Sequence, residues 1–147
     1  MNQDFKDLLA EFNAHEVKYL VIGAYALAVH GKVRATKDLD LWVQPEMQNA
    51  QRTLRALHAF GAPLHDLSEE DLTRPGTVFQ IGVAPLRIDV VTAIDGVEFE
   101  EAWKARLRVD LAGLSVWVLS REHLLANKRA TGRPQDSVDA QWLEENP

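Results

Sequence analysis

The segment Asp-Leu-Asp-Leu-Trp-Val at residues 38–43 alternates acidic and apolar side chains before it becomes wholly apolar. Such alternation is typical of a β-strand, in which side chains two positions apart lie on the same face. The segment therefore predicts a short strand, ended by Pro45, with Asp38 and Asp40 side by side. Two carboxylates that close repel each other unless a shared proton or a cation such as Mg²⁺ relieves them. The pair predicts a phosphate-handling metal site, and a solvated strand edge is the alternative.

Apolar periodicity in the rest of the chain switches repeatedly between helical and strand spacing. Helices are predicted at residues 3–14, 24–30, 46–60, 97–104, 121–131 and 135–145. Besides the acidic strand, strands are predicted at 17–22, 77–83, 86–93, 106–111 and 114–119, with a loop at 62–76. This order predicts an α/β (α+β) fold: a mixed β-sheet of about four to six strands flanked by helices, with C-terminal helices. Residues 1–147 show no repeat or linker, which predicts a single domain.

Composition excludes several classes of protein. The chain has no cysteine, so disulfides, thiolate zinc sites and cysteine nucleophiles are excluded. The formal net charge of −6 disfavours tight non-specific binding of nucleic acid, although it permits a local basic cleft. The longest apolar run, residues 19–29, is too short for a membrane span, and the acidic, polar N-terminus is unlike a signal peptide. We therefore expect a cytoplasmic protein without a membrane partner.

A glycine directly follows the predicted strand at 17–22, and the next residue, Ala24, begins a predicted helix. A glycine at this point lets the backbone approach a phosphate, and the free N–H groups of a helix start favour an anion. The alternative is that Gly23 only ends the strand. A helix and a return turn fit between Ala24 and Asp38, so the acidic strand can lie beside the strand that ends at Gly23.

A third acid, Asp89, lies between apolar residues in the predicted strand at 86–93. A lone carboxylate in such a run is unfavourable to bury unless it is paired or metal-bound. If the two acidic strands are neighbours, Asp89 completes a three-carboxylate cluster with Asp38 and Asp40, which can hold two metal ions and position a triphosphate. A salt bridge to a neighbouring arginine or a half-exposed strand is the alternative.

The joint order of these motifs resembles the nucleotidyltransferase superfamily with the polymerase-β-like fold. The motifs are Gly23-Ala24, the Asp38 and Asp40 pair, and Asp89 within Ile-Asp-Val. The stretch Ala-Thr-Lys-Asp-Leu-Asp-Leu at 35–41 looks most like the small bacterial AbiEii-like branch of minimal nucleotidyltransferases, known from toxin–antitoxin systems. The resemblance covers about residues 15–140, and its motifs are short, so it rests on their order and spacing.

The resemblance implies a role for each matching residue. Gly23 and Ala24 would bind the nucleotide at a phosphate-binding turn. Asp38 and Asp40 would hold both metal ions, Mg²⁺ or Mn²⁺, and Asp89 would share one metal and help to deprotonate the acceptor hydroxyl. The family usually has serine or glycine where this chain has Ala24, which removes a hydroxyl that contributes one hydrogen bond, worth about 0.5–1.5 kcal/mol.

The C-terminal part of the chain resembles the Lys…Asp-x-x-Asp segment of the same branch through Lys128, Asp136 and Asp139. Lys128 would then face the triphosphate and offset charge on the leaving pyrophosphate. A solvated helix lysine is the alternative for Lys128. The alternative for the two aspartates is that they only cap the last helix and place negative charge in its first turn.

Three basic residues precede the acidic strand, namely Lys32, Arg34 and Lys37. They form a basic rim for the phosphates of a nucleotide or an RNA, and a solvated loop is the alternative. His30 is predicted to be a packing or capping residue.

Two classes of function follow from these observations. The first is a metal-dependent enzyme that transfers a nucleoside monophosphate from an NTP, such as ATP, to a hydroxyl of RNA, protein or a small molecule, with release of pyrophosphate. The second is a non-catalytic module of the same fold that binds a partner protein, for instance one half of a toxin–antitoxin pair. Intact Asp38, Asp40 and Asp89 favour the enzyme, whereas Ala24 favours the module.

Overall fold

The helices and strands form where the apolar periodicity requires them, in a computed structural model that describes residues 1–33, 38–83 and 86–147. The helices are α1 Gln3–Ala14, α2 Gly23–Val29, α3 Met47–Phe60, α4 Phe99–Lys104, α5 Arg121–Thr131 and α6 Pro134–Glu145. The strands are β1 Tyr19–Ile22, β2 Asp38–Val43, β3 Val78–Val83, β4 Leu86–Val91, β5 Leu107–Leu111 and β6 Leu114–Val118. Each predicted helix and strand is present, with ends that shift by a few residues. The predicted loop at 62–76 was wrong in one respect, because a short 3₁₀ helix forms at Asp71–Thr73.

Side-chain caps explain where helices α1 and α5 begin. The side chain of Asn2 accepts hydrogen bonds from the backbone N–H groups of Asp4 and Phe5 and so starts α1. The Ser120 hydroxyl accepts one from the backbone of His123, 3.2 Å away, and starts α5. These caps satisfy donors that have no partner inside the helix.

Within the described residues, the strands form one six-stranded mixed sheet in the order β3-β4-β2-β1-β6-β5. Strand β2 lies in the middle, antiparallel to β1 and parallel to β4. Leu39 and Leu41 of β2 are fully buried, whereas Asp38 and Asp40 on the opposite face are only partly buried. The alternation in the sequence therefore separates a core face from a polar face of the same strand.

The core is built between this sheet and the helices that flank it. Helix α1 contributes Phe5, Leu8, Leu9 and Phe12, whose helical spacing places them on one buried face. Strand β1 is buried along its whole length, as a central strand covered on both sides would be. Helices α1 and α3 pack against each other, and so do α5 and α6. No helix within the described ranges is long and apolar enough to cross a membrane.

Candidate active site

Three aspartates meet on the polar face of the sheet because the register of three neighbouring strands brings them together. Asp40 of β2 pairs with Ile22, the last residue of β1, on one side. On the other side Asp40 pairs with Asp89 of β4, and Asp38 pairs with Arg87. The acidic strand thus lies beside β1, which directly precedes Gly23, and Asp89 lies on the adjacent strand β4, as the sequence predicts. We call Asp38, Asp40 and Asp89 the acid cluster.

Gly23 lies directly against the acid cluster. Its φ of +66° belongs to the left-handed region that residues with a Cβ rarely adopt. A Cβ at this position would overlap the Oδ2 atom of Asp40, well inside van der Waals contact. The turn after β1 therefore requires glycine for two independent reasons, and it brings backbone within touching distance of a carboxylate.

The acid cluster is electrostatically strained. Burial is the largest influence on Asp40, followed by the charges of Asp89 and Asp38, and together they raise the pKa of Asp40 from 3.8 to about 6. A side-chain hydrogen bond shared with Asp89 acts in the same direction, and the charge of Arg87 opposes it. Carboxylates crowded in this way favour a proton or a cation between them.

Arg87 completes the polar face, and its ion pair with Asp89 is the salt bridge that the sequence offered as an alternative for this acid. Its Nη2 atom lies 3.4 Å from Oδ2 of Asp38, and its Nε atom lies 3.1 Å from Oδ1 of Asp89. The signal in the sequence was its spacing of two from Asp89, because residues i and i+2 of a strand share a face. That spacing predicts proximity to Asp89, but the contact with Asp38 depends on how β2 and β4 pair.

The C-terminal helices carry a second cluster of charges that is almost completely buried. Lys128 of α5 is 6% exposed, and its Nζ atom lies 3.0 Å from Oδ1 of Asp136 and 3.3 Å from Oδ2 of Asp139. The Lys32 Nζ atom donates to the other oxygen of Asp139 at 3.1 Å, and Arg133 donates to Asp136 at 2.8 Å. We call Lys32, Lys128, Asp136 and Asp139 the buried ion network. It joins α5 and α6 to the segment that follows α2.

The alternatives for these residues are therefore wrong: Lys128 is not a solvated lysine, and the two aspartates do more than charge the first turn of α6. Burial is the largest influence on Asp139 and opposes its ionisation. Donors from Lys32, Lys128 and Gln135 nevertheless hold the pKa of Asp139 below its usual value. Burial likewise opposes ionisation of Asp136, but a hydrogen bond from Thr131 and the lysine and arginine charges keep its pKa low.

The acid cluster borders a cleft with a volume of about 620 Å³, and Lys128 of the buried ion network lines the same cleft. That volume lies within the range of small-molecule sites. Six residues singled out from the sequence line it, namely Gly23, Ala24, Asp38, Asp40, Asp89 and Lys128, whereas Asp136 and Asp139 do not. Arg34 and Lys37 of the predicted basic rim lie outside the described residues, whereas Lys32 belongs to the buried ion network. His30 ends α2, and its Nε2 atom lies 2.9 Å from the carbonyl oxygen of Leu119, as expected of a packing or capping residue.

The acid cluster has the donor chemistry that a hard divalent cation prefers, since all three side chains offer carboxylate oxygens. Their mutual repulsion at Asp40 is also the condition that a dication relieves. In the described ranges, however, no group of three or more His, Asp or Glu side chains is already arranged to hold a metal ion. The donor set fits, and its side chains would need to adjust.

The sequence matches the family model described as "Nucleotidyltransferase of unknown function (DUF6036)" over residues 2–146, and the chain therefore belongs to this family. It is a nucleotidyltransferase, as the resemblance of its motifs indicates. The AbiEii-like branch of the superfamily stays a prediction. A comparison with curated protein sequences gives no match.

Solved structures of nucleotidyltransferases share the fold. A Thermotoga maritima protein described as a candidate nucleotidyltransferase superposes with a TM-score of 0.64 at 16% identity, over 97% of this chain and 92% of that chain. The lincosamide antibiotic adenylyltransferase LnuA, with lincomycin bound, gives 0.62 at 14% identity over 100% and 98% of the two chains. ANT(2'')-Ia in complex with adenylyl-2''-tobramycin gives 0.55 at 14% identity over 95% and 84%. These similarities establish the α/β fold with its mixed sheet and flanking helices.

Proposed function

We propose that residues 1–147 act as one domain that transfers a nucleoside monophosphate from an NTP to a hydroxyl of a small molecule, with Mg²⁺ or Mn²⁺ as cofactor. Pyrophosphate is the second product, and the reaction takes place in the cytoplasm. The observation that carries this proposal is the acid cluster, in which Asp40 pairs in register with Asp89 on the adjacent strand and lies against Gly23. The cleft beside them is large enough for a nucleotide and part of an acceptor.

The reaction has one bond-forming and one bond-breaking event. The acceptor oxygen forms a bond to the α-phosphorus, and the bond from that phosphorus to the oxygen bridging to the β-phosphate breaks. Asp89 accepts the hydroxyl proton, and the two remaining phosphates leave as pyrophosphate. When bound, the divalent metal would neutralise negative charge on the triphosphate and acidify the acceptor hydroxyl.

The chain's own residues divide the remaining work. Asp38 and Asp40 supply metal ligands from one face of β2. The backbone at Gly23 and Ala24 approaches the phosphates. Position 23 has to be glycine for this turn to form, because a Cβ there would collide with Asp40. Lys128 lines the wall of the cleft with its ammonium group between Asp136 and Asp139, and we assign it the place beside the leaving pyrophosphate.

A small-molecule acceptor is favoured over RNA or protein for two reasons. The formal net charge of −6 gives no general attraction for a polyanion. One protein of similar fold, LnuA, is named as a lincosamide antibiotic adenylyltransferase, and another, ANT(2'')-Ia, is solved in complex with adenylyl-2''-tobramycin. We extend that chemistry, with ATP as the first donor to test, to this chain.

A second candidate is a non-catalytic module of the same fold that binds a partner protein in a toxin–antitoxin pair. One observation favours it, because Ala24 lacks the hydroxyl that the serine of many superfamily members offers to phosphate at this position. A binding module has no need for a close triphosphate contact, whereas a transferase does.

The test is a label-transfer assay with purified protein, each α-labelled NTP, Mg²⁺ or Mn²⁺, and a panel of hydroxylated small molecules, RNA and cell lysate. The variant Asp40→Asn removes a metal ligand, and Asp66→Asn makes the same chemical change at an exposed residue outside the cleft. We expect transfer with the wild type and Asp66→Asn, and a loss of at least about 100-fold with Asp40→Asn. Equal transfer by Asp40→Asn would exclude the acid cluster as the catalytic site. No transfer to any acceptor, with a protein captured from lysate instead, would favour the binding module.

A further inference from the structure

Arg87 is a charged side chain that lies between Asp38 and Asp89 of the acid cluster. It projects from β4 on the same face as Asp89 and pairs in register with Asp38 on β2. Its guanidinium thus reaches one carboxylate on its own strand and one on the neighbouring strand. The charge of Arg87 also lowers the pKa of Asp40, so this one cation influences all three acids.

The contacts of Arg87 are close but poorly aligned. Its Nη2 atom donates to Asp38 at 3.4 Å, near the long limit for a hydrogen bond. Its Nε atom lies 3.1 Å from Oδ1 of Asp89, yet within the described part of the chain neither atom completes a hydrogen bond. The side chain is 34% exposed. The half-exposed contact with Asp38 can be given up without a large loss of free energy. The Nε atom and the Asp89 oxygen are buried, so the guanidinium can leave Asp89 only when another cation takes its place.

Charge balance indicates when the Arg87 guanidinium would leave the carboxylates. The acid cluster carries three negative charges when it is ionised, and Arg87 supplies one positive charge. A divalent cation needs the same carboxylate oxygens that the guanidinium now contacts, so the two compete for them. Once a dication is bound, the carboxylates attract Arg87 less. A planar guanidinium on the wall of this cleft is then well suited to contact a phosphate with two parallel hydrogen bonds.

We propose that Arg87 is the internal counter-ion of the acid cluster, holding Asp38 and Asp89 while no metal is bound and turning to the triphosphate once metal ions replace it. This inference rests on the proposed function, because it assumes metal and nucleotide in the same cleft. It also accounts for the absence of a ready-made metal site among the described residues, since the cluster is arranged around a guanidinium instead.

The test separates metal binding from nucleotide binding and needs no turnover. Mn²⁺ affinity is measured on the protein alone by titration calorimetry and by the loss of the free Mn²⁺ paramagnetic resonance signal. Affinity for an ATP analogue with a methylene between the α- and β-phosphorus atoms is then measured at saturating Mn²⁺. The variants are Arg87→Gln, which removes the charge, and Arg87→Lys, which keeps the charge without the planar fork. Arg108→Gln on β5 is the matched control, because it makes the same change of net charge outside the lining of the cleft.

We expect Arg87→Gln to bind Mn²⁺ about 3–10-fold more tightly than the wild type, and the ATP analogue several-fold more weakly. Arg87→Lys should bind Mn²⁺ nearly as the wild type does and still lose affinity for the analogue. Arg108→Gln should leave both affinities unchanged.

Two results would overturn the inference while the proposed function stands. One is metal-dependent nucleotide binding by the wild type, with unchanged or weaker Mn²⁺ binding by Arg87→Gln. The other is unchanged affinity of Arg87→Gln for the analogue. If Arg87→Gln does not fold, Arg87→Lys decides alone, since undiminished analogue binding by that variant refutes the phosphate contact. A wild type that binds neither Mn²⁺ nor the analogue would refute the proposed function itself, and the Arg87 inference with it.

Discussion

Asp40→Asn should stabilise the metal-free protein while it removes the proposed catalytic function. Asn has nearly the same shape as Asp, so it can occupy the space against Gly23 without a new collision. It carries no charge, so it relieves the repulsion among three carboxylates on neighbouring strands. A residue that serves the fold alone would behave in the opposite way, because its removal would destabilise.

The magnitude follows from the pKa of Asp40, which burial and the charges of Asp89 and Asp38 raise from 3.8 to about 6. Each pKa unit corresponds to about 1.36 kcal/mol, so ionised Asp40 lowers the free energy of unfolding by at most about 3 kcal/mol above pH 6. Solvent screening of this half-buried side chain reduces the figure to about 1–2 kcal/mol. The loss fades as pH falls from about 6 toward 4, because the folded protein binds the proton before the unfolded chain does.

The assay is thermal and urea unfolding of the wild type and of Asp40→Asn in the presence of EDTA, at about pH 8 and about pH 4.5. We expect Asp40→Asn to melt about 3–8 °C higher at the alkaline pH, with most of that difference gone at the acidic pH. Asp66→Asn, at an exposed position, should match the wild type at both. The electrostatic reasoning is refuted if Asp40→Asn is no more stable than the wild type at about pH 8, or if its advantage does not shrink on acidification.

Three further predictions concern the surroundings of the acid cluster. Gly23→Ala should destabilise the fold in urea unfolding by more than the ~1–2 kcal/mol of left-handed backbone strain, and it should abolish metal-dependent nucleotide binding. The control is Gly113→Ala, at a φ of +85° with open space around it, which should show the backbone strain alone. Asp139→Asn should cost about 3 kcal/mol of unfolding free energy at neutral pH, because it leaves two buried or half-buried lysines short of a partner. Since the pKa of Asp139 is held low, that contribution is present above about pH 4 and is lost as pH falls through the folded value, which a pH series on both proteins would reveal. Ala24→Ser should tighten binding of an unreactive ATP analogue by about 2–10-fold, and equal affinities would show that no phosphate lies near this position.

The local elements were determined by the sequence itself. Strand β2 formed at the alternating acidic and apolar positions, because period-two patterning separates a buried face from a polar one whatever the neighbours are. Helix α1 formed where apolar residues recur every three or four positions, with Asn2 as its cap. That Asp38 and Asp40 share a face required nothing more than strand geometry.

The meeting of distant residues was decided by the tertiary structure. Asp40 and Asp89 are 49 positions apart, and only the parallel register of β2 with β4 sets them opposite each other and carries Arg87 to Asp38. The burial of Lys128 is equally a product of packing, because α5 and α6 must come together before Asp136 and Asp139 can reach its ammonium group. Local periodicity reports which face of an element is apolar, but it carries no information about which elements become neighbours or in what register. The sequence therefore predicts the residue types of a site that is assembled across three strands and two helices. The contacts within that site form only when the chain folds.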